Sequence, residues 1–201
     1  MIVDNYLRCR PSISMIIDTP MPKDWQDDLK LKTFVSGESM TLESNYYWML
    51  DQGVVKTSTT TDEETQITFG YWGINDLIGS PLSSYPCKAK CITTVKAWNI
   101  PLDQTDKITS FIQHHVQQME KILYILRSDQ IYQRLRGMLI WLGNKFGRAV
   151  DLGQMIDLSL THQDLAELIG TTRATVTRLV NQLEQERFLS RPKRNTFILH
   201  K

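Results

Sequence analysis

Residues 160–183 read LTHQDLAELIGTTRATVTRLVNQL, and this stretch decides the architecture of the C-terminal part of the chain. Thr161 is a side-chain acceptor placed just before an apolar periodicity, and Asp164, three residues on, can reach back in the manner of a capping box. Leu165, Ala166, Leu168 and Ile169 supply one helical face, with Ala166 small enough for another helix to approach closely. Gly170 ends the helix, because a left-handed residue costs little only without a Cβ. Thr171 or Thr172 then caps a second helix whose inner face is Val176, Leu179, Val180 and Leu183. Two short helices across a glycine turn make a helix-turn-helix.

The outer face of the second helix carries Arg173, Ala174, Thr177, Arg178 and Asn181. Its first turn can approach bases in the major groove, where an arginine fork matches the O6 and N7 acceptors of guanine. Downstream, Phe188-Leu189-Ser190 and Thr196-Phe197-Ile198-Leu199 flank a basic turn containing Arg191, Lys193 and Arg194, the pattern of a wing hairpin that sets cations beside phosphates. Thr161, His162, Thr171, Thr172, Arg173, Ala174, Thr177, Arg178, Arg191, Lys193 and Arg194 are therefore the candidate contacts to double-stranded DNA. Charge agrees: residues 171–201 hold seven basic and two acidic side chains, a net +5, whereas the remainder holds 16 and 20, a net −4. A solvated basic tail, or a winged-helix adaptor that binds protein and no DNA, would share parts of this pattern, but not both outward arginines together with the basic wing.

Upstream, residues 31–101 read as short aromatic and β-branched segments, such as Tyr46-Tyr47-Trp48-Met49-Leu50 and Thr65-Gln66-Ile67-Thr68-Phe69. Turn signals at Ser36-Gly37, Asp51-Gln52-Gly53, residues 61–64, Asn75-Asp76 and Gly79-Ser80-Pro81 separate them, which predicts a barrel or sandwich and an α+β chain overall. From Pro101 to Gly137 neither proline nor glycine intervenes, and Ile108, Ile112, His115, Met119, Ile122 and Leu126 recur at spacings of 4, 3, 4, 3 and 4. That is an a/d seam for a second copy, with Phe111 and Leu123 widening the apolar face. The competing reading buries this helix within the monomer. A second helix is expected from Asp129 to Phe146, stopped by Gly147, with a loop or strand pair over residues 148–159.

The run THQDLAELIGTTRATVTRLVNQLEQERFLS resembles the signature of the cyclic-AMP receptor protein and fumarate-nitrate reductase regulator (Crp/Fnr) family, most of all its global nitrogen regulator branch. The resemblance continues more loosely through Gly37-Glu38, Gly53 and residues 75–79. It implies an N-terminal β-roll of the cyclic-nucleotide-binding type over residues 1–103, a dimerisation helix over 104–128 and a winged helix-turn-helix over 129–201. It further implies a homodimer on a near-palindromic operator, in contact with RNA polymerase. Nucleotide-binding members carry a glutamate after the Gly79 position and an Arg-Ser or Arg-Thr pair a few residues later. Here Ser80-Pro81 stands in that place, and no arginine occurs between Arg10 and Arg127. Lys88 or Lys90 could meet an anion only as a point charge, which argues against cyclic AMP as the effector; no cofactor is expected.

Other chemistry finds little support. Cys9, Cys87 and Cys91 are too few for an iron–sulfur cluster; Cys87 and Cys91 are either a redox pair or two ordinary buried thiols. His114, His115, His162 and His200 make no metal spacing with them, and no phosphate loop or hydrolase motif occurs, so an enzyme is not expected. No apolar run spans a bilayer and the N-terminus has no secretory pattern, so a cytoplasmic protein without a membrane partner is expected.

Overall fold

The computed structural model describes residues 29–200. Expectations that fall on residues 1–28 and 201, including those for Cys9, Arg10 and Lys201, lie outside the described residues. Contacts divide the chain into two units between Glu120 and Lys121.

The first unit is built on eight strands: β1 (Lys30–Phe34), β2 (Ser39–Met40), β3 (Tyr46–Gln52), β4 (Val55–Thr60), β5 (Gln66–Trp72), β6 (Leu77–Ile78), β7 (Lys88–Cys91) and β8 (Val95–Pro101). They form two four-stranded antiparallel sheets, ordered β1-β8-β3-β6 and β2-β7-β4-β5. The apolar run at residues 46–50 lacks polar alternation because β3 is covered on both faces. Tyr47 and Met49 join Leu77, Trp98 and Ile100 in a cluster with Ile108 and Phe111, while Trp48 and Leu50 are buried on the opposite face. The turns expected at Gly53, residues 61–64 and Asn75 fall between strands.

The chain leaves β8 through a 3₁₀ segment, Leu102–Ile108, kinked at Gln104, before α1 (Thr109–Leu126) begins. One continuous helix from residue 104 is thus corrected to a later start. The hydroxyl of Thr105 bonds the Leu102 carbonyl at 2.5 Å and that of Thr109 the Asp106 carbonyl at 3.1 Å, local bonds that compete with the α-helical ladder.

In the second unit, α2 (Ile131–Phe146) runs into a hairpin of β9 (Gly147–Val150) and β10 (Gly153–Ile156). Gly147 does end α2, but its backbone is extended. A Cβ there would lie 2.2 Å from the Gly143 carbonyl oxygen and 2.8 Å from Gln154 Cγ, so close approach requires the glycine. Then come α3 (His162–Ile169), α4 (Arg173–Gln185), β11 (Leu189–Ser190) and β12 (Phe197–His200). A third four-stranded sheet, ordered β11-β12-β10-β9, pairs Leu189 with Leu199 and Met155 with Ile198, so the wing is stitched to the hairpin after α2. Among the described residues no helix is long and apolar enough to cross a membrane.

Candidate nucleic-acid interface

The capping box forms: Thr161 accepts from the Asp164 backbone N–H at 3.1 Å, and the Thr161 N–H donates to the Asp164 carboxylate at 3.0 Å. Gly170 has φ 70° and ψ 55°, the left-handed conformation that turns the chain from α3 into α4. Thr172 is the cap of α4, its hydroxyl accepting from the Thr175 N–H at 3.2 Å; Thr171 sits in the turn, its N–H on the Ala166 carbonyl at 3.0 Å. Val176, Leu179, Val180 and Leu183 are buried, as the periodicity requires, leaving Arg173, Ala174 and Arg178 exposed on the outside.

The far end of α4 is fixed separately. The Tyr132 hydroxyl donates to the Glu186 carboxylate, Gln182 donates to its other oxygen at 2.9 Å, and the Arg136 guanidinium lies 4.9 Å from the centre of the Phe188 ring. Burial, then that hydrogen bond, push the Tyr132 phenol up to about 12. The orientation of α4 is therefore set by its inner face and its C-terminal end, and its outward N-terminal side chains are left for a ligand.

Beside that N-terminus opens a cleft of about 740 Å³, with Thr161, His162, Arg173, Arg191, Lys193 and Arg194 all on its walls. Six candidates widely separated in sequence are thus brought together, while Thr171, Thr172, Ala174, Thr177 and Arg178 lie outside the lining. Two roles change. Thr177 donates its hydroxyl proton to the Arg173 carbonyl at 2.9 Å and meets His162 Nδ1 at 2.8 Å, so it holds the two helices together instead of reaching for a base. Arg191 is no free cation: it bonds Glu184 at 2.5 and 3.2 Å and Asn181 at 2.9 Å, tying the wing to α4. That hydrogen bond holds the Glu184 carboxyl below its ordinary value. Lys193 and Arg194 are exposed at the tip. Glu184 was not readable as a site residue, since only the folded hairpin brings Arg191 back over α4.

The candidate seam on α1 is corrected in phase. Ile108 and Ile122 are 0% and 3% exposed within the chain itself, and the His115 ring stacks on Trp72 at 4.5 Å, so none of the three faces outward to a second copy. The outward apolar stripe is instead Val116, Met119 and Leu123, with Val116 61% and Leu123 59% exposed; half-buried Ile112, which also packs on the core cluster, and Leu126 extend it at spacings of 4, 3, 4 and 3. Ile112, Met119 and Leu126 belong to both readings. The redox-pair reading of the cysteines also fails: β7 is extended between Cys87 and Cys91, setting them about 13 Å apart, well beyond disulfide reach. Burial raises both thiols, Cys91 to about 11, which disfavours the thiolate form.

Comparison with known proteins bears directly on this site. Residues 133–201 match the model of the Crp-like helix-turn-helix domain. The regulatory protein CysR of Synechococcus elongatus is 36% identical over 146 residues, covering 71% of this chain and 70% of that protein. The global nitrogen regulator of the same organism is 27% identical over 160 residues, covering 71% and 72%, so the likeness is not confined to the nitrogen-regulator branch. Among solved structures, a CRP-family transcriptional regulator from Thermus thermophilus superposes with a TM-score of 0.72 at 15% identity, over 85% of this chain and 92% of that one. A cyclic nucleotide-binding domain containing protein from Listeria monocytogenes gives 0.72 at 17%, over 98% and 95%. These two establish likeness of fold, namely β-rich sheets, helices and a C-terminal helix-turn-helix. With its helix-turn-helix geometry and a relative of this similarity, the chain belongs to the Crp/Fnr family and is a DNA-binding transcription regulator of that type.

Proposed function

We propose that the protein binds a near-palindromic operator as a homodimer, inserting α4 of each protomer into successive major grooves. One observation carries this reading: the inner face of α4 is wholly buried, while Arg173, Ala174 and Arg178 stand exposed at its N-terminal half beside a cleft walled by cations. Arg178 forks onto a guanine, Arg173 contacts either a base edge or a phosphate, and Lys193 and Arg194 hold phosphates. Ala174 cannot accept a hydrogen bond, so the protein does not demand the cytosine that a glutamate there would select.

The outward stripe of α1 is the surface offered to the second copy, because so regular an apolar row is poorly placed in water. In this division of labour residues 1–103 form the effector-type domain, 104–128 the dimerisation segment and 129–201 the reader of DNA. Cyclic AMP is not the effector, since Ser80-Pro81 and the arginine-free β7 region offer neither the glutamate nor the guanidinium fork. By family resemblance RNA polymerase is the protein partner, and the chain acts by binding in the cytoplasm, without turnover. Selection of bound duplexes from a random library tests the reading. It is expected to return half-sites one helical turn apart; no enrichment at any salt concentration overturns it.

A further inference from the structure

His162 is the first residue of α3 and one of the residues lining the cleft between the helix pair and the wing. Its tautomer follows from the bonds around it. Thr177 has one hydroxyl proton, and the Arg173 carbonyl, 2.9 Å away, can only accept, so that proton goes there. His162 Nδ1, 2.8 Å from the same hydroxyl oxygen, must therefore carry a hydrogen and donate. In the neutral ring this leaves Nε2 as a bare lone pair, with no partner among the described residues.

The surroundings decide what that lone pair meets. From α4 come Arg173 and Glu184, from the wing Arg191, Lys193 and Arg194, and from its own helix Asp164, whose carboxylate is held by Thr161. Glu184 is spent on Arg191, and the centre of the Phe197 ring lies 6.5 Å from that of the imidazole. Burial, then Arg191, then Arg173 keep the ring's pKa below 6.5, so in the free chain near pH 7 it is neutral. An entering phosphate reverses the balance, because it neutralises those cations and supplies an acceptor for a charge-assisted bond from Nε2–H.

We propose that His162 is a proton-linked contact: it engages an operator phosphate only as the imidazolium, so each protomer takes up a proton when DNA enters the cleft. The inference rests on the DNA-binding reading above and adds a pH dependence to it. The sign is fixed by linkage: the proton is held more tightly in the complex, so affinity is gained as pH falls through the complex's value and lost as pH rises through it. With one site in each of two protomers, operator affinity should rise on the order of tenfold from about pH 8 to 6.5.

The test measures affinity of the full chain for its selected duplex across that range, with calorimetry at neutral pH in two buffers of different ionisation heat to count protons. The expected result is net uptake by the wild type. His162→Arg, permanently charged, should bind at pH 8 at least as tightly as the wild type and with a flat profile; His162→Gln should be flat and weaker at pH 6.5. Tight binding by the wild type without proton uptake overturns the inference while leaving the operator reading intact. A pH slope that survives in both variants overturns it too, by assigning the proton elsewhere. Failure to bind any duplex at any pH overturns the operator reading itself.

Discussion

Replacing Val116 and Leu123 together by glutamate should convert a dimer to monomers without unfolding the chain. Both side chains are about three-fifths exposed, at 61% and 59%, so the single chain gains or loses little when they become charged. A partner burying what remains of each would gain about 0.9–1.8 kcal/mol per side chain, taking 1.5–3 kcal/mol for complete burial. Two residues on each of two copies make that about 4–7 kcal/mol, before the further cost of desolvating four carboxylates. At 1.4 kcal/mol per tenfold, the dimer constant should weaken by roughly three to five orders of magnitude. Ile122→Glu is the contrasting change: at 3% exposed it should unfold its surroundings whether or not a partner exists. Sedimentation velocity reads the association state and a thermal melt reads the fold. A double variant that still sediments as a dimer, with unchanged operator affinity, refutes the outward stripe as the interface; one that melts like Ile122→Glu refutes the claim that these positions are free in the monomer.

Arg178→Ala should relax selection at one base pair per half-site, costing about 1–3 kcal/mol there, whereas Arg194→Ala should weaken all sequences alike and lower the salt slope by about one per protomer; operator selection and salt titrations separate the two. Millimolar cyclic AMP should leave operator affinity unchanged, and saturable binding with tighter DNA association in a calorimetric titration would contradict the departures at Ser80-Pro81. Gly170→Ala meets nothing within 4 Å, so its cost should be the left-handed backbone alone, about 1–2 kcal/mol and several degrees in Tm; an unchanged melt would show that the turn does not require a glycine. The Glu184 carboxyl lies below its ordinary value because Arg191 bonds it, so its contribution to stability is present above the unfolded value of 4.5 and is lost as pH falls through the folded one. Glu184→Gln should flatten that acid limb in a pH series of melts, and an unaltered limb would show that the pair contributes nothing.

What was legible in the sequence was local. The capping box at Thr161 and Asp164, the left-handed turn at Gly170 and the buried row of Val176, Leu179, Val180 and Leu183 depend on residues at most a few helical turns apart. Proximity in sequence therefore carried their geometry. The wing hairpin was readable for the same reason. The phase of the α1 seam was not, because that helix carries two apolar stripes and both obey the heptad spacing. Only the packing of Ile108 into the core and of His115 onto Trp72 shows which stripe the chain consumes itself. The role of Arg191 was hidden in the sequence on similar grounds. A cation in a basic turn reads as a phosphate contact until the fold lays it 2.5 Å from Glu184.

These contacts also separate holding α4 from reading with it. Its inner face is held by burial of Val176 to Leu183, its start by Thr172 and by the Thr177 hydroxyl on the Arg173 carbonyl, its side by the Arg191 clamp and its end by Tyr132 on Glu186. None of those bonds uses the side chain of Ala174 or Arg178, and Arg173 contributes only its backbone carbonyl. Substitutions at the three outward positions can therefore change which bases are met while the helix stays where it is. The converse holds for Thr177, whose hydroxyl joins α3 to α4. Its loss would shift the helix that carries the readers without removing any reader, so it should weaken every operator together and leave the preferred sequence unchanged.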